Sequence, residues 1–479
     1  MLKQKPTLLC IALLAALFAR GQQVTLKGAF KNTPDPVIDA NIPVDGKQFT
    51  GAIVRMSIDP ATGAFQQTID IKKPGFVTLT NNWKQIKLFA TPGQTYTINA
   101  DSSQYSVTGD QQAGQDLIKT FDFQDDTRRT AAGLEHISSA QERVNTVKAA
   151  ADKKKATVES LFRDGKINEA FKQALFSAID INYMSILSDS FFFTFREREQ
   201  QPAAVAQFRK DYLPVWKKIY DDAAPFTQLL HAPGYYWMLN RYQAYLEIAD
   251  SGKLIYRPGI YEIQKIDLFR TKLKGEMLEY TWANSIISGI NTNLYEKEWI
   301  DNFRDFRQQF PYSQLTPYLD KKVQKIVAYH AADKHPNKDV RYLAGYDKLN
   351  NFKALTSALK GKVTYIDLWA TWCSPCRAEL QYSLELHDVL HQMGIQTVYV
   401  SLDNDRDDKA WKQMAQRLPL KGINLRPNKA LHQDINKTVP KFNGIPRYII
   451  LDKNGEVAVW DAKRPSDKLE LIKQLQQYL

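Results

Sequence analysis

The sequence predicts an α/β domain over residues 341–479, behind a small antiparallel β-sandwich over 22–110 and a helical domain over 111–340. Three observations predict it. The last 139 residues alternate strand-like and helix-like segments, residues 22–110 hold short β-branched runs between turn signals, and the middle carries apolar residues at three-to-four spacing. A chain of 479 residues is long enough for several domains at roughly 100–200 residues each. Ordinary hydrophobic content, 44%, excludes a collagen-like or wholly disordered chain. Three cysteines cannot form a disulfide framework, so the fold must stand on packing.

The N-terminus reads as a secretory signal peptide over residues 1–21. Met1-Leu2-Lys3-Gln4-Lys5 is a basic start, Leu8 to Ala19 is an apolar run of 12 residues, and Ala19-Arg20-Gly21 places small residues before a cleavage point ahead of Gln22. An uncleaved anchor is the competing reading, but a bilayer span needs about 20 apolar residues. Cys10 lies inside the apolar run without the small residues of a lipoprotein site before it. The mature chain is thus expected to be exported, in the periplasm or cell envelope, with two cysteines. Its net charge of +12 falls to +9 once Lys3, Lys5 and Arg20 are removed. No segment holds a dense basic stripe, so nucleic acid is not an expected partner.

In the β-rich segment, Val24 to Gly28, Ile53 to Ile58, Phe76 to Thr80, Ile86 to Phe89 and Tyr96 to Ile98 read as strands. Asp59-Pro60-Ala61-Thr62-Gly63, Lys73-Pro74-Gly75 and Thr91-Pro92-Gly93 read as turns between them. The middle segment has helical spacing over Glu142 to Leu161, Phe171 to Leu187, Tyr235 to Ala249 and Lys321 to Ala332. Its run Phe191-Phe192-Phe193-Thr194-Phe195 could form a sticky client-binding surface, but aromatic residues ordinarily belong to a core.

In the last segment, Val363 to Trp369 and Gln396 to Leu402 read as strands. Helices are expected from about Cys373 to Met393 and from Lys409 to Leu418. Tyr448 to Leu451 and Glu456 to Val459 form a hairpin around Asp452-Lys453-Asn454-Gly455, and a final helix runs from Ser466 to Tyr478. This order describes a mixed sheet with helices on both faces.

The chemistry concentrates in Trp372-Cys373-Ser374-Pro375-Cys376, at the junction of a strand and a helix. Unpaired N–H groups and the dipole of the first helical turn favour a thiolate at Cys373. Cys376 lies nearly one turn on, where it can attack Cys373 and resolve a mixed disulfide. Pro375 suits a first turn because its missing N–H would have no intrahelical partner. A zinc half-site lacks further cysteines and a nearby histidine. His387 and His391 are one turn apart without an evident third ligand, so no metal is expected. A structural disulfide with so short a loop would constrain the unfolded chain little. A peroxidase pattern fails because Asp367 and Ala370 stand six and three residues before Cys373.

Asp367-Leu368-Trp369-Ala370-Thr371-Trp372-Cys373-Ser374-Pro375-Cys376-Arg377-Ala378-Glu379 resembles the thioredoxin active-site stretch. More narrowly it resembles the TlpA/ResA-like exported thiol-disulfide oxidoreductases. Gly444-Ile445-Pro446-Arg447-Tyr448-Ile449-Ile450-Leu451-Asp452 resembles their second signature, with a cis-proline opposite the cysteines. The match covers 341–479 and implies a thioredoxin-like fold. The segments before it resemble the N-terminal extensions of such proteins with lower specificity.

The resemblance implies Cys373 as nucleophile and Cys376 as resolving thiol. Asp367 matches the buried acid that takes the resolving thiol's proton, and burial would raise its pKa. A hydrogen-bonded structural aspartate is its alternative. Glu379 matches an acidic residue that shares or replaces this role, with a surface carboxylate as the alternative. Trp372 is expected to wall the thiols, and Ile445 and Pro446 to offer backbone for strand-like pairing with a substrate segment. No cofactor is implied beyond the redox-active Cys373–Cys376 disulfide. Protein disulfides and a membrane-bound thiol electron donor are the implied partners. Ser374 and Arg447 depart from thioredoxin, and its lysine near the buried acid has no evident counterpart in Thr397 to Leu402. Reduction of protein disulfides leads; a disulfide oxidase or isomerase, and a partner-binding protein whose thiol pair senses redox state, remain alternatives.

Overall fold

A computed structural model describes residues 23–479 except 32, 34–36, 82–83, 102, 121–124, 222–225, 256–260, 292–294, 332–337 and 419. Residues 1–21, expected to be a signal peptide, lie outside the described residues. The chain packs as two compact units: residues up to Ile287 with Phe306–Leu319, and Ser288–Asp305 with Asp320–Leu479. The β-rich and most of the helical segment share one unit, while stretches on both sides of Phe306–Leu319 join the C-terminal one. Such a grouping depends on contacts between residues far apart in sequence.

The first unit begins with eight strands: β1 (Gln23–Phe30), β2 (Val37–Asn41), β3 (Ile53–Ser57), β4 (Ala64–Asp70), β5 (Gly75–Asn81), β6 (Lys84–Ala90), β7 (Thr95–Ala100) and β8 (Tyr105–Thr108). They form two four-stranded sheets, β4-β1-β7-β8 and β3-β2-β5-β6. Pairing is antiparallel throughout except between β1 and β7, which run parallel. That one pair corrects the all-antiparallel expectation. It forms because β1 takes β4 on one edge and the distant β7 on the other. Asp59 accepts from the N–H groups of Ala61 and Thr62 at 2.9 and 2.8 Å, and Gly63 at φ 73° closes the turn into β4.

Helices follow, including α1 (Ala140–Arg163), α2 (Glu169–Arg198) and α3 (Tyr235–Ser251). Ser139 and Asn168 cap α1 and α2 by accepting from Glu142 N–H and Phe171 N–H. The phenylalanine run lies on α2. Phe191 and Phe195 are fully buried, Phe191 edge-on to Tyr212 and Trp216, so the run is mainly core. Among the described residues, no helix is long and apolar enough to cross a membrane.

The second unit is built on a six-stranded sheet of order β14-β13-β10-β11-β12-β9. Its elements are β9 (Val340–Tyr342), α4 (Phe352–Ala358), β10 (Thr364–Trp369), α5 (Ser374–Gln392), β11 (Gln396–Ser401), α6 (Asp408–Arg417), β12 (Gly422–Leu425), α7 (Lys429–Thr438), β13 (Arg447–Leu451), β14 (Val457–Val459) and α8 (Leu469–Gln476). β10, β11, β12 and β9 run parallel, while β13 is antiparallel to both β10 and β14. Gly422 sits at φ 122°, where a Cβ would meet Thr397 O at 2.7 Å. Only glycine allows β12 to approach β11 there.

Every residue of β10 is buried, so its alternating side chains feed two cores. Ile366 and Leu368 pack with Val398, Val400, Ile449, Leu451 and residues of α4 and α7. On the other face Tyr365, Trp369, Tyr399 and Tyr448 meet α5, α6 and α8. A fully buried large apolar side chain contributes about 1.5–3 kcal/mol, so these two layers hold the site. Helices on both faces of a mixed sheet agree with the α/β expectation.

Candidate active site

Cys373 is the N-cap of α5, with extended backbone (φ −82°, ψ 99°), and its sulfur accepts from the Cys376 N–H at 3.2 Å. Pro375 occupies the first turn as the sequence requires. Cys373 and Cys376 form a disulfide with their Cα atoms 5.3 Å apart. They are 4% and 1% exposed, whereas Trp372 beside them is 60% exposed. Cys373 is therefore approached along a surface that displays an indole.

The Ile445–Pro446 bond is cis, and the Ile445 carbonyl oxygen lies 3.7 Å from Cys373 Sγ. The two sequence motifs thus meet at one sulfur, with β13 starting directly after the proline. Arg447 turns away: it donates to Lys441 O at 2.9 Å and pairs with Asp461 at 3.1 Å.

Asp367 projects from β10 onto the face covered by α5 and is 1% exposed. Neither carboxylate oxygen has a hydrogen-bond partner. Burial, with a second contribution from the charge of Glu379, pushes its carboxyl well above the ordinary range. Its register partners are Tyr399 on β11 and Tyr448 on β13. A tyrosine on β11 thus stands opposite the acid in the stretch Thr397 to Leu402, where no lysine was found.

Glu379, half-buried on α5, is engaged elsewhere. Its two oxygens accept from Ser466 N–H at 3.0 Å and Ser466 Oγ at 2.9 Å. The structure therefore gives this side chain a structural partner at the turn before α8. His387 and His391 have rings 5.9 Å apart, and His387 Nδ1 faces Asp388 at 3.0 Å. Among the described residues, no cluster of three or more His, Cys, Asp or Glu side chains could hold a metal.

Two buried charges at the site were not singled out by sequence reasoning. Asp403, 1% exposed, accepts from Thr371 N–H at 3.0 Å and Thr371 Oγ1 at 2.7 Å, and Ser401 Oγ donates to it at 2.5 Å. Arg377, also 1% exposed, donates to the Thr371 carbonyl. Thr371 is thereby held at three atoms, two residues before the nucleophile. Asp403 follows a strand end and Arg377 follows Cys376, but polar residues in those places are more often solvated; burial is what distinguishes them.

The Redoxin family profile matches residues 331–468. Thiol-disulfide oxidoreductase ResA of Oceanobacillus iheyensis is 32% identical over 75 residues, 16% of this chain and 38% of that protein. ResA of Bacillus thuringiensis subsp. konkukian is 29% identical over 123 residues, 25% of this chain and 63% of that protein. The chain thus spans 38% and 63% of the length of these two relatives. Among solved structures, a candidate thiol-disulfide oxidoreductase from Bacteroides vulgatus shows 37% identity, covering 26% of this chain and 75% of that one at a TM-score of 0.22. Residues 331–468 accordingly match the Redoxin family, and this part of the chain is similar to ResA thiol-disulfide oxidoreductases of the TlpA/ResA-like group.

Proposed function

We propose that the protein is an exported thiol-disulfide oxidoreductase that reduces disulfides of other proteins and is itself recharged by a membrane-bound thiol donor. The observation that carries the reading is the Cys373–Cys376 pair, joined at the start of a helix with Cys373 Sγ beside the Ile445 carbonyl. ResA relatives support the class, and the N-terminal pattern of residues 1–21 supports export.

In the reduced protein, the Cys373 thiolate attacks a substrate disulfide, forms a mixed disulfide and expels one substrate thiolate. The Ile445 backbone gives the substrate segment a strand-like partner, and Trp372 supplies an apolar wall next to the attacked bond. Asp367 takes the Cys376 proton, and the Cys376 thiolate attacks Cys373 Sγ. That step expels the second substrate thiolate and leaves the Cys373–Cys376 disulfide. Two electrons have passed to the substrate, whose thiolates take up two protons. The donor reverses the exchange. In this scheme the thiol pair carries the electrons without a bound cofactor. Glu379 acts on Asp367 through its charge while its oxygens hold Ser466.

Turnover of insulin disulfides with dithiothreitol tests the activity. Loss of turnover in Cys373→Ser is expected, and turnover at the wild-type rate in that variant would remove Cys373 as nucleophile. Equilibration with glutathione tests the direction. A strongly reducing potential is expected, and a value near roughly −120 mV would assign the protein as an oxidant.

A further inference from the structure

Arg377 is set one helical turn past the nucleophile, its N–H bonded to the Cys373 carbonyl at 3.1 Å. Its guanidinium is buried at the start of α5, where it donates to the Thr371 carbonyl two residues before Cys373. A cation buried beside the backbone that leads into a cysteine at a helix start favours the thiolate over the thiol. The guanidinium itself stays charged at neutral pH, since burial brings it down only to about 10.

The counter-charge comes from outside the matched residues. Tyr295 and Tyr329 pack on the core cluster that contains both cysteines, their rings stacked at 4.5 Å. His330 Nε2 lies 2.7 Å from the Tyr295 carbonyl oxygen, and the Arg417 guanidinium lies over the Tyr329 ring at 5.0 Å. This packing brings the next residue, the half-buried Glu296, into the field of Arg377, where it is the strongest opposing charge. Among the described residues, the other titratable groups around the pair include Cys376 on α5, Asp367 on β10, Asp403 after β11, Tyr295 and Tyr329, with His330 and Arg417 against those tyrosines.

We propose that Arg377 is a positioning residue whose buried charge holds Cys373 as a thiolate in the reduced protein, and that Glu296, supplied by the segment ahead of the matched domain, moderates that charge. The inference rests on Cys373 being the attacking thiol. Thus the segment before the thioredoxin-like domain adjusts the reactivity of its nucleophile.

The test is the pH dependence of iodoacetamide alkylation of Cys373 in the reduced full chain carrying Cys376→Ser. Arg377→Gln should move the midpoint upward and slow alkylation below it by about three- to ten-fold, and Arg377→Lys should restore most of the rate. Glu296→Gln should move the midpoint the other way. An unmoved midpoint in a folded Arg377→Gln variant overturns the role of Arg377. No shift, or an upward shift, in Glu296→Gln overturns the role of Glu296, and this variant serves where Arg377→Gln does not fold. Insulin turnover by the chain with both cysteines separates the two failures. No turnover removes the oxidoreductase reading, whereas normal turnover with unmoved midpoints removes this inference alone.

Discussion

Replacing Asp367 by asparagine removes a charge that the fold accommodates poorly. The carboxyl is 1% exposed with two unpartnered oxygens, and burial holds its pKa well above the ordinary 3.8. Above pH 3.8 the unfolded chain releases this proton before the folded one does. Wild-type stability therefore falls as pH rises through the window between that value and the raised folded midpoint, and is unaffected below it. Asparagine suffers no such loss. Each unit by which burial raises a carboxyl's pKa costs about 1.4 kcal/mol once it ionises, so Asp367→Asn should stabilise the C-terminal unit by at least about that amount at pH 8. The gain should shrink as the pH approaches about 4. Denaturant titration followed by pulse alkylation of the buried Cys376 reads this unit alone, since both cysteines of residues 22–479 lie in it. Mixed-disulfide resolution should slow by about 10²-fold in the same variant. A stability difference that is the same at both pH values, or a destabilised variant at pH 8, would refute the reasoning.

Other substitutions probe the surroundings of the thiols. Glu379→Gln should cost about 0.5–1.5 kcal/mol by weakening the grip on Ser466, and it should change turnover far less than Asp367→Asn; stopped-flow resolution rates compare the two. Asp403→Ala should destabilise the unit by about 1–3 kcal/mol, because Thr371 N–H and Ser401 Oγ lose their acceptor, and thermal unfolding of the reduced protein measures it. Trp372→Ala should leave stability within about 0.5 kcal/mol while raising the KM for insulin more than that for a small aromatic disulfide. Equal effects on both substrates would deny the indole a role in protein recognition.

Local chemistry made much of the second unit legible. The β13–β14 hairpin was marked by Asp452 to Gly455, and in the structure Asp452 Oδ1 accepts from the Asn454 and Glu456 N–H groups while Gly455 takes φ 74°. β10, β11, α5 and α6 were visible as β-branched runs and helical spacing. β9 and β12 were not, because strands of three and four residues carry too little pattern and pair with partners distant in sequence. Also missed were β2, β4 and β8, whose few apolar residues stand among polar ones, and the parallel pairing of β1 with β7, which no local signal marks. The cysteines could be located from their spacing at a strand–helix junction, and Asp367 and Pro446 from the resemblance to the thioredoxin signatures. Arg377 and Asp403 could not, since their importance lies in burial and in converging on Thr371. Nor could sequence reveal that Tyr295 and Tyr329 pack against the cysteine cluster, for no local signal ties them to residues so far along the chain.

The central claim is that Cys373 attacks a protein disulfide and Cys376 then releases it. Reduced Cys376→Ser protein, mixed with insulin and quenched with acid, should accumulate a covalent adduct joined through Cys373. Mass spectrometry of the linked peptide identifies the bond, and Cys373→Ser should form none. A folded Cys376→Ser protein that yields no adduct, or an adduct that persists in Cys373→Ser, would contradict the account.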